Sequence, residues 1–147
     1  MVTAPPASHV PPRILLVDDN TRGNFGRKML LEQEAYVVET ANSGEEALDL
    51  FLRDPFDLVV TDYRMKKMDG LELIARLRQQ PIAVPIVLLS GFVGMIGMDE
   101  RSTGADAVLN KGSKEEEYLL RTVRQLLERG RRRKPGRGGK ASVATSG

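Results

Sequence analysis

Five short apolar runs, each closed by a polar residue, constrain this chain more than any other feature. Ile14-Leu15-Leu16-Val17 ends at Asp18-Asp19-Asn20. Tyr36-Val37-Val38-Glu39-Thr40 is the second run, and Leu58-Val59-Val60-Thr61, ending at Asp62, is the third. Pro85-Ile86-Val87-Leu88-Leu89 ends at Ser90-Gly91, and Ala107-Val108-Leu109-Asn110 ends at Lys111. Apolar runs without alternation suit parallel strands covered on both faces.

Helical spacing fills the gaps. Residues 21–33 place Phe25, Met29 and Leu30 on one face. Ser43-Gly44-Glu45-Glu46 reads as a capping box, in which the Ser43 hydroxyl accepts an early helix N–H and Glu46 reaches back. The helix it opens runs to about Arg53, turns Ala47, Leu48 and Phe51 inward, and stops at Asp54-Pro55. Met68-Asp69-Gly70 leads into a helix expected to bury Leu71, Ile74, Ala75 and Leu77. Ser113-Lys114-Glu115-Glu116 is a second capping box, opening a helix with Tyr118, Leu119, Val123, Leu126 and Leu127 on its stripe. Between Phe92 and Arg101, Gly94 and Gly97 each cost a helix about 1 kcal/mol relative to Ala, so a short or irregular helix is expected there.

The pattern is (βα)5. Right-handed crossovers make it an α/β fold with a doubly wound, five-stranded parallel sheet. The 147 residues suit one domain, expected over residues 13–129. A Pro-rich leader, 1–12, and a basic, Gly-rich tail, 130–147, lack the apolar content to pack and are expected to be disordered. Seven basic residues lie between Arg129 and Lys140; without them 15 basic face 20 acidic residues. The pI therefore says little about the folded part. The tail has no aromatic side chain for bases to stack on, so nucleic acid is not its expected partner. The absence of cysteine excludes a disulfide framework, Cys-ligated zinc and a thiol nucleophile. His9 is the single histidine, and it lies in the leader, away from any triad or His-based metal site. No apolar run is long enough for a membrane span, and the leader has no signal-type apolar core. The expected location is the cytoplasm.

Ligands of doubly wound sheets sit beyond the carboxyl ends of the strands, at a switch in strand order. That rule selects Asp18, Asp19, Asp62, Ser90 and Lys111 together. Taken singly, each is an ordinary turn or surface residue. Taken together they put three carboxylates, a hydroxyl and an ammonium on one sheet edge. Three carboxylates held together repel one another. A hard divalent cation relieves this, and Mg²⁺ accepts a few carboxylates and keeps waters. The lysine and the hydroxyl would complement an anion on that metal.

These residues carry a family resemblance. Asp18-Asp19, the stretch Asp62-Tyr63-Arg64-Met65-Lys66-Lys67-Met68-Asp69-Gly70, Ser90-Gly91, and Gly104-Ala105-Asp106-Ala107 before Lys111 resemble the receiver domain of bacterial two-component response regulators. The likeness is to the single-domain, chemotaxis-regulator-like kind, with its flavodoxin-like receiver fold. It covers about Arg13 to Arg129. The resemblance implies that Asp62 is the phosphoacceptor, served by a sensor histidine kinase or a histidine phosphotransfer protein. It implies Mg²⁺ held by Asp19, Asp62 and the Arg64 main-chain carbonyl, with Asp18 acting through a metal-bound water. Ser90 and Lys111 would bind phosphoryl oxygens. The domain would be no enzyme toward outside substrates, catalysing only its own phosphorylation and dephosphorylation. Its output would be a conformational change read by a partner protein. A homodimer through the fourth helix, fifth strand and fifth helix is among the implied assemblies.

Three positions depart from the family pattern. Lys66 stands where proline is usual. Gly112 follows Lys111 where the family has a cis-proline, leaving two readings: a trans bond with Lys111 aimed differently, or a strained cis bond. Val108 replaces the usual aromatic, so an aromatic in–out switch cannot operate there. Arg64 and Phe92 are bulky neighbours that would screen an acyl phosphate from water. The alternative function is a pseudo-receiver, a binding module without productive phosphorylation. A phosphohydrolase fits poorly, because Arg64 stands where its acid/base carboxylate would be.

Overall fold

The computed structural model describes residues 10–91 and 99–133. Ten elements follow in strict alternation: β1 (Arg13–Val17), α1 (Thr21–Glu32), β2 (Val37–Ala41), α2 (Gly44–Arg53), β3 (Leu58–Asp62), α3 (Gly70–Arg78), β4 (Ile86–Ser90), α4 (Glu100–Thr103), β5 (Ala107–Asn110) and α5 (Glu115–Arg133). The strands pair in parallel in the order β2-β1-β3-β4-β5. This is the expected α/β doubly wound sheet. The order reverses between β1 and β3, so the switch point lies between the ends carrying Asp18-Asp19 and Asp62.

Period-two alternation splits the core into two layers. Leu15, Val17, Val59, Ile86 and Leu88 point to one face and pack with Ala47 of α2 and Leu73, Ile74 and Leu77 of α3. Ile14, Leu16, Leu58, Val60, Val87 and Leu89 point to the other and pack with Leu31 of α1 and Leu119, Val123 and Leu126 of α5. Each fully buried aliphatic side chain contributes about 1.5–3 kcal/mol. Both faces being covered is why the strands read as unbroken apolar runs.

The phase of α1 differs from the sequence expectation. Phe25 and Met29 are 62% and 48% exposed, and Asn24 and Leu31 face inward. The Asn24 amide donates to the Asp18 carbonyl at 3.2 Å and the Ala41 carbonyl at 3.0 Å. These oxygens lie where β1 and β2 finish, so a polar side chain turns inward to satisfy them. In α3, Ile74 and Leu77 are buried as expected and Leu71 packs on the core, while Leu73 is buried and Ala75 is exposed. Tyr36 precedes β2.

The caps also differ in detail. Ser43 accepts from the Glu46 N–H at 3.0 Å, as expected, but the Glu46 carboxylate accepts from Asn42 rather than Ser43. Ser113 does not cap α5. That helix starts at Glu115, whose N–H donates to the Gly112 carbonyl, and Tyr118 is exposed. It continues through Gly130 to Arg133, four residues past the expected end at Arg129. α4 is a single short turn, opened by an Asp99–Ser102 capping box and closed by Gly104 at φ +82°. Phe92, the two glycines after it, most of the leader and the tail beyond Arg133 lie outside the described residues.

Candidate functional site

Because every strand runs the same way, the sheet brings Asp18, Asp19, Asp62, Ser90 and Lys111 to one edge, as expected from the sequence. Asp62 is the last residue of central β3, and the hydrogen bond from the Tyr63 N–H to Leu89 O (2.8 Å) extends the β3–β4 pairing past it. Asp62 is buried. The Lys111 ammonium reaches across from β5 and forms an ion pair with Asp62 Oδ1. That oxygen is enclosed, with the ammonium as its partner. Burial pushes the Asp62 carboxyl above its ordinary value. Lys111 pulls it down, Asp18 pushes it up and Arg27 lowers it, and burial prevails.

Lys111 reaches Asp62 although glycine follows it. There is no cis peptide bond among the described residues, so the Lys111–Gly112 bond is trans. The Lys111 N–H donates to the Ser90 carbonyl at 2.8 Å, which ties the ends of β4 and β5. Ser90 is buried at the end of β4, one strand from Asp62. Val108 is half-buried and packs on the α2–α3 layer.

Asp18 is buried, and both its oxygens are engaged. Oδ1 accepts from the Asn20 N–H at 2.9 Å, and Oδ2 from Arg27 Nη1 at 2.8 Å. Asp19 is exposed, and its Oδ2 accepts from the Lys66 N–H at 3.0 Å. That bond exists because residue 66 is not proline, which has no amide hydrogen. Lys67, next in the loop, is left-handed at φ +64°. Beside the loop lies an open hollow of about 510 Å³, lined by Asp19, Tyr63, Arg64, Met65, Lys66 and Asp69. Asp69 also caps α3, accepting from the Glu72 N–H at 2.9 Å.

Among the described residues no three acidic groups form a ready metal cage. The donor set nevertheless fits a magnesium ion. Mg²⁺ binds through one or two carboxylates and retains its waters, so a closed cage is not required. Asp62 supplies a buried carboxylate with Lys111 on its Oδ1, and Asp19 supplies one that opens onto the hollow.

Sequence reasoning missed two polar residues at this edge. Asn24 was overlooked because helical periodicity scores apolar side chains only. Arg27 was overlooked because its partners lie on other elements. The available signal was charge balance: three carboxylates at one edge require more than one lysine.

Among the described residues no helix is long and apolar enough to cross a membrane. The model of the response regulator receiver domain matches residues 14–124. Response regulator MprA of Mycolicibacterium vanbaalenii is 39% identical over 124 residues, covering 82% of this chain and 52% of MprA. The gliding motility regulatory protein of Myxococcus xanthus is 34% identical over 78% of this chain and 15% of its own length. The chain thus spans about half or less of these relatives. Among solved structures, the Francisella response regulator 1452 receiver domain superposes with a TM-score of 0.74 at 30% identity, covering 81% of this chain and 98% of that one. Response regulator protein TrrA from Thermotoga maritima, solved in complex with Mg(2+)-BeF, gives 0.71 at 34% identity over 78% and 98% of the two chains. With its sheet order, its strand-end residues and these likenesses in agreement, the chain belongs to the response regulator receiver domains of two-component systems.

Proposed function

We propose that this receiver accepts a phosphoryl group on Asp62 in the presence of Mg²⁺ and relays the change to a partner protein. The observation that carries the reading is the buried Asp62 carboxylate at the switch point, faced by the Lys111 ammonium. One Asp62 oxygen attacks the phosphorus of a phosphohistidine or a small acyl phosphate. The bond from phosphorus to the donor breaks in line, and the donor leaves with the electron pair. Lys111 then exchanges a carboxylate oxygen for a phosphoryl oxygen, and the Ser90 hydroxyl donates to another. Mg²⁺, held by Asp19, Asp62 and the Arg64 carbonyl with Asp18 behind a water, would supply positive charge against the transferred group. Most of the catalysis is positioning and charge neutralisation, which suits a site without a general base. The domain in this reading acts only on itself. Its donor is a sensor histidine kinase or histidine phosphotransfer protein, and its place is the cytoplasm. The Mg(2+)-BeF complex of TrrA, a similar chain, supports the metal.

Intact mass after incubation with acetyl phosphate tests this. One added phosphoryl group is expected with Mg²⁺ and none with chelator. An unmodified mass under both conditions would leave only a pseudo-receiver. In the same assay Lys111→Met is expected to slow uptake by about 10²–10³-fold, the usual cost of losing one pre-placed donor to a developing oxyanion. A rate equal to wild type would remove Lys111 from the site.

A further inference from the structure

Arg27 is the charged group at this edge that the phosphoacceptor chemistry does not use. It sits on α1 and is nearly buried. Its Nη1 lies 2.8 Å from Asp18 Oδ2, and its Nε lies 2.6 Å from Glu115 Oε2 in the first turn of α5. Asp18 and Glu115 are largely enclosed as well. A guanidinium stays protonated at any working pH, and its planar fork can serve two carboxylates at once. A second feature makes room for the pair. A Cβ on Gly23 would stand 3.1 Å from Asp18 Oδ2 and 3.3 Å from Arg27 Nη1. The chain has no side chain at the position where one would crowd this contact.

We propose that Arg27 is a positioning residue of the acidic site: it is the resident counter-ion of Asp18, it weakens the site's hold on Mg²⁺, and through Glu115 it couples metal uptake to the first turn of α5. This rests on the proposed Mg²⁺ site. Arg27 divides one positive charge between two carboxylates. A cation arriving at the edge draws on Asp18 and repels the guanidinium, whose remaining partner is Glu115. Metal binding therefore strengthens the α1–α5 tie, and strengthening that tie favours metal, since coupling of binding events is reciprocal. α5 begins four residues after Lys111, so the turn that holds Glu115 follows closely on the site's other cation in the chain.

Mg²⁺ titration by calorimetry, with no phosphodonor present, tests the proposal in five variants: the three single substitutions and the two that combine Glu115→Gln with a change at Arg27. Arg27→Gln is expected to bind Mg²⁺ on the order of tenfold more tightly than wild type, because one competing charge is gone. Glu115→Gln is expected to bind several-fold more weakly, because Arg27 then commits to Asp18. In the Arg27→Gln background the Glu115→Gln effect should vanish, since the coupling runs through the arginine. Arg27→Lys keeps the charge and the fold but cannot bridge both carboxylates. It is expected to lose the response to Glu115→Gln. Equal affinity in wild type and Arg27→Gln would overturn the proposal and leave the phosphoryl reading standing. An undiminished Glu115→Gln effect without Arg27 would also overturn it. A wild type that binds no Mg²⁺ would overturn this proposal and the metal site beneath it together.

Discussion

Asp62→Asn is expected to take up no phosphoryl group, and yet to unfold at a higher temperature than wild type in metal-free buffer. The first effect follows because an amide oxygen is not the nucleophile that a carboxylate is. The second follows from linkage. The Asp62 pKa is raised in the folded protein, chiefly by burial. A raised carboxyl contributes stability that is fully present below its unfolded value and is lost as pH rises through the folded value. At neutral pH wild type therefore carries a buried charge that folding would rather not hold. Asparagine keeps the shape without the charge, and Lys111, at the rim, can turn its ammonium to water. The gain in midpoint should be a few degrees at neutral pH. It should shrink to nothing as pH falls below the ordinary aspartate range, where wild type is neutral in both states. Thermal unfolding of both proteins across pH, by circular dichroism, checks this. A wild type at least as stable as the variant at neutral pH would refute it.

Gly70→Ala is expected to cost about 1–3 kcal/mol of stability through overpacking and to damage the site as well. Gly70 opens α3, and its N–H donates to the Tyr63 carbonyl at 2.8 Å. A Cβ there would lie 2.5 Å from the Asp62 carbonyl oxygen and 3.0 Å from both the Tyr63 Cα and Leu88 Cδ1. Two of those atoms are main chain and cannot step aside. Either α3 lifts or the end of β3 moves, and Asp62 moves with it. Gly44 provides the control. The nearest atoms to a Cβ there belong to the Met68 side chain, its sulfur at 2.6 Å and its Cβ and Cγ at 3.0 Å; the sulfur can swing away and the rest has to give by only a few tenths of an ångström. Urea unfolding and phosphoryl uptake should both suffer in Gly70→Ala and suffer much less in Gly44→Ala. Normal uptake by a destabilised Gly70→Ala would show that the close approach serves stability alone.

The sheet and its edge were legible in the sequence for one physical reason. Strands covered on both faces are apolar along most of their length, so the point where each run gives way to charged or turn-forming residues marks a strand end. Asp18, Asp62, Ser90 and Lys111 were all placed that way. The rotation of α1 was not legible. Phe25 and Met29 face solvent because the Asn24 amide is needed by two strand-end carbonyls. Such a demand leaves no trace in an apolar pattern. The partner of Arg27 on α5 is 88 residues away, beyond any local rule. Nor does periodicity show that Ser113 leaves α5 uncapped, because a capping box is a permission that the preceding turn can decline. At Gly112 the sequence left two geometries open, and the trans form still delivers Lys111 to Asp62.

Lys66 turns a departure from the family pattern into a latch. Its amide fastens the loop after β3 to Asp19 in the loop after β1. Proline at that position would leave the two loops unfastened on this side. A cation at Asp19 would share that carboxylate with the amide, since an ionised carboxylate has room for both. Metal candidate and loop anchor are then one side chain, so in this chain whatever repositions Asp19 also pulls on the loop that carries Arg64.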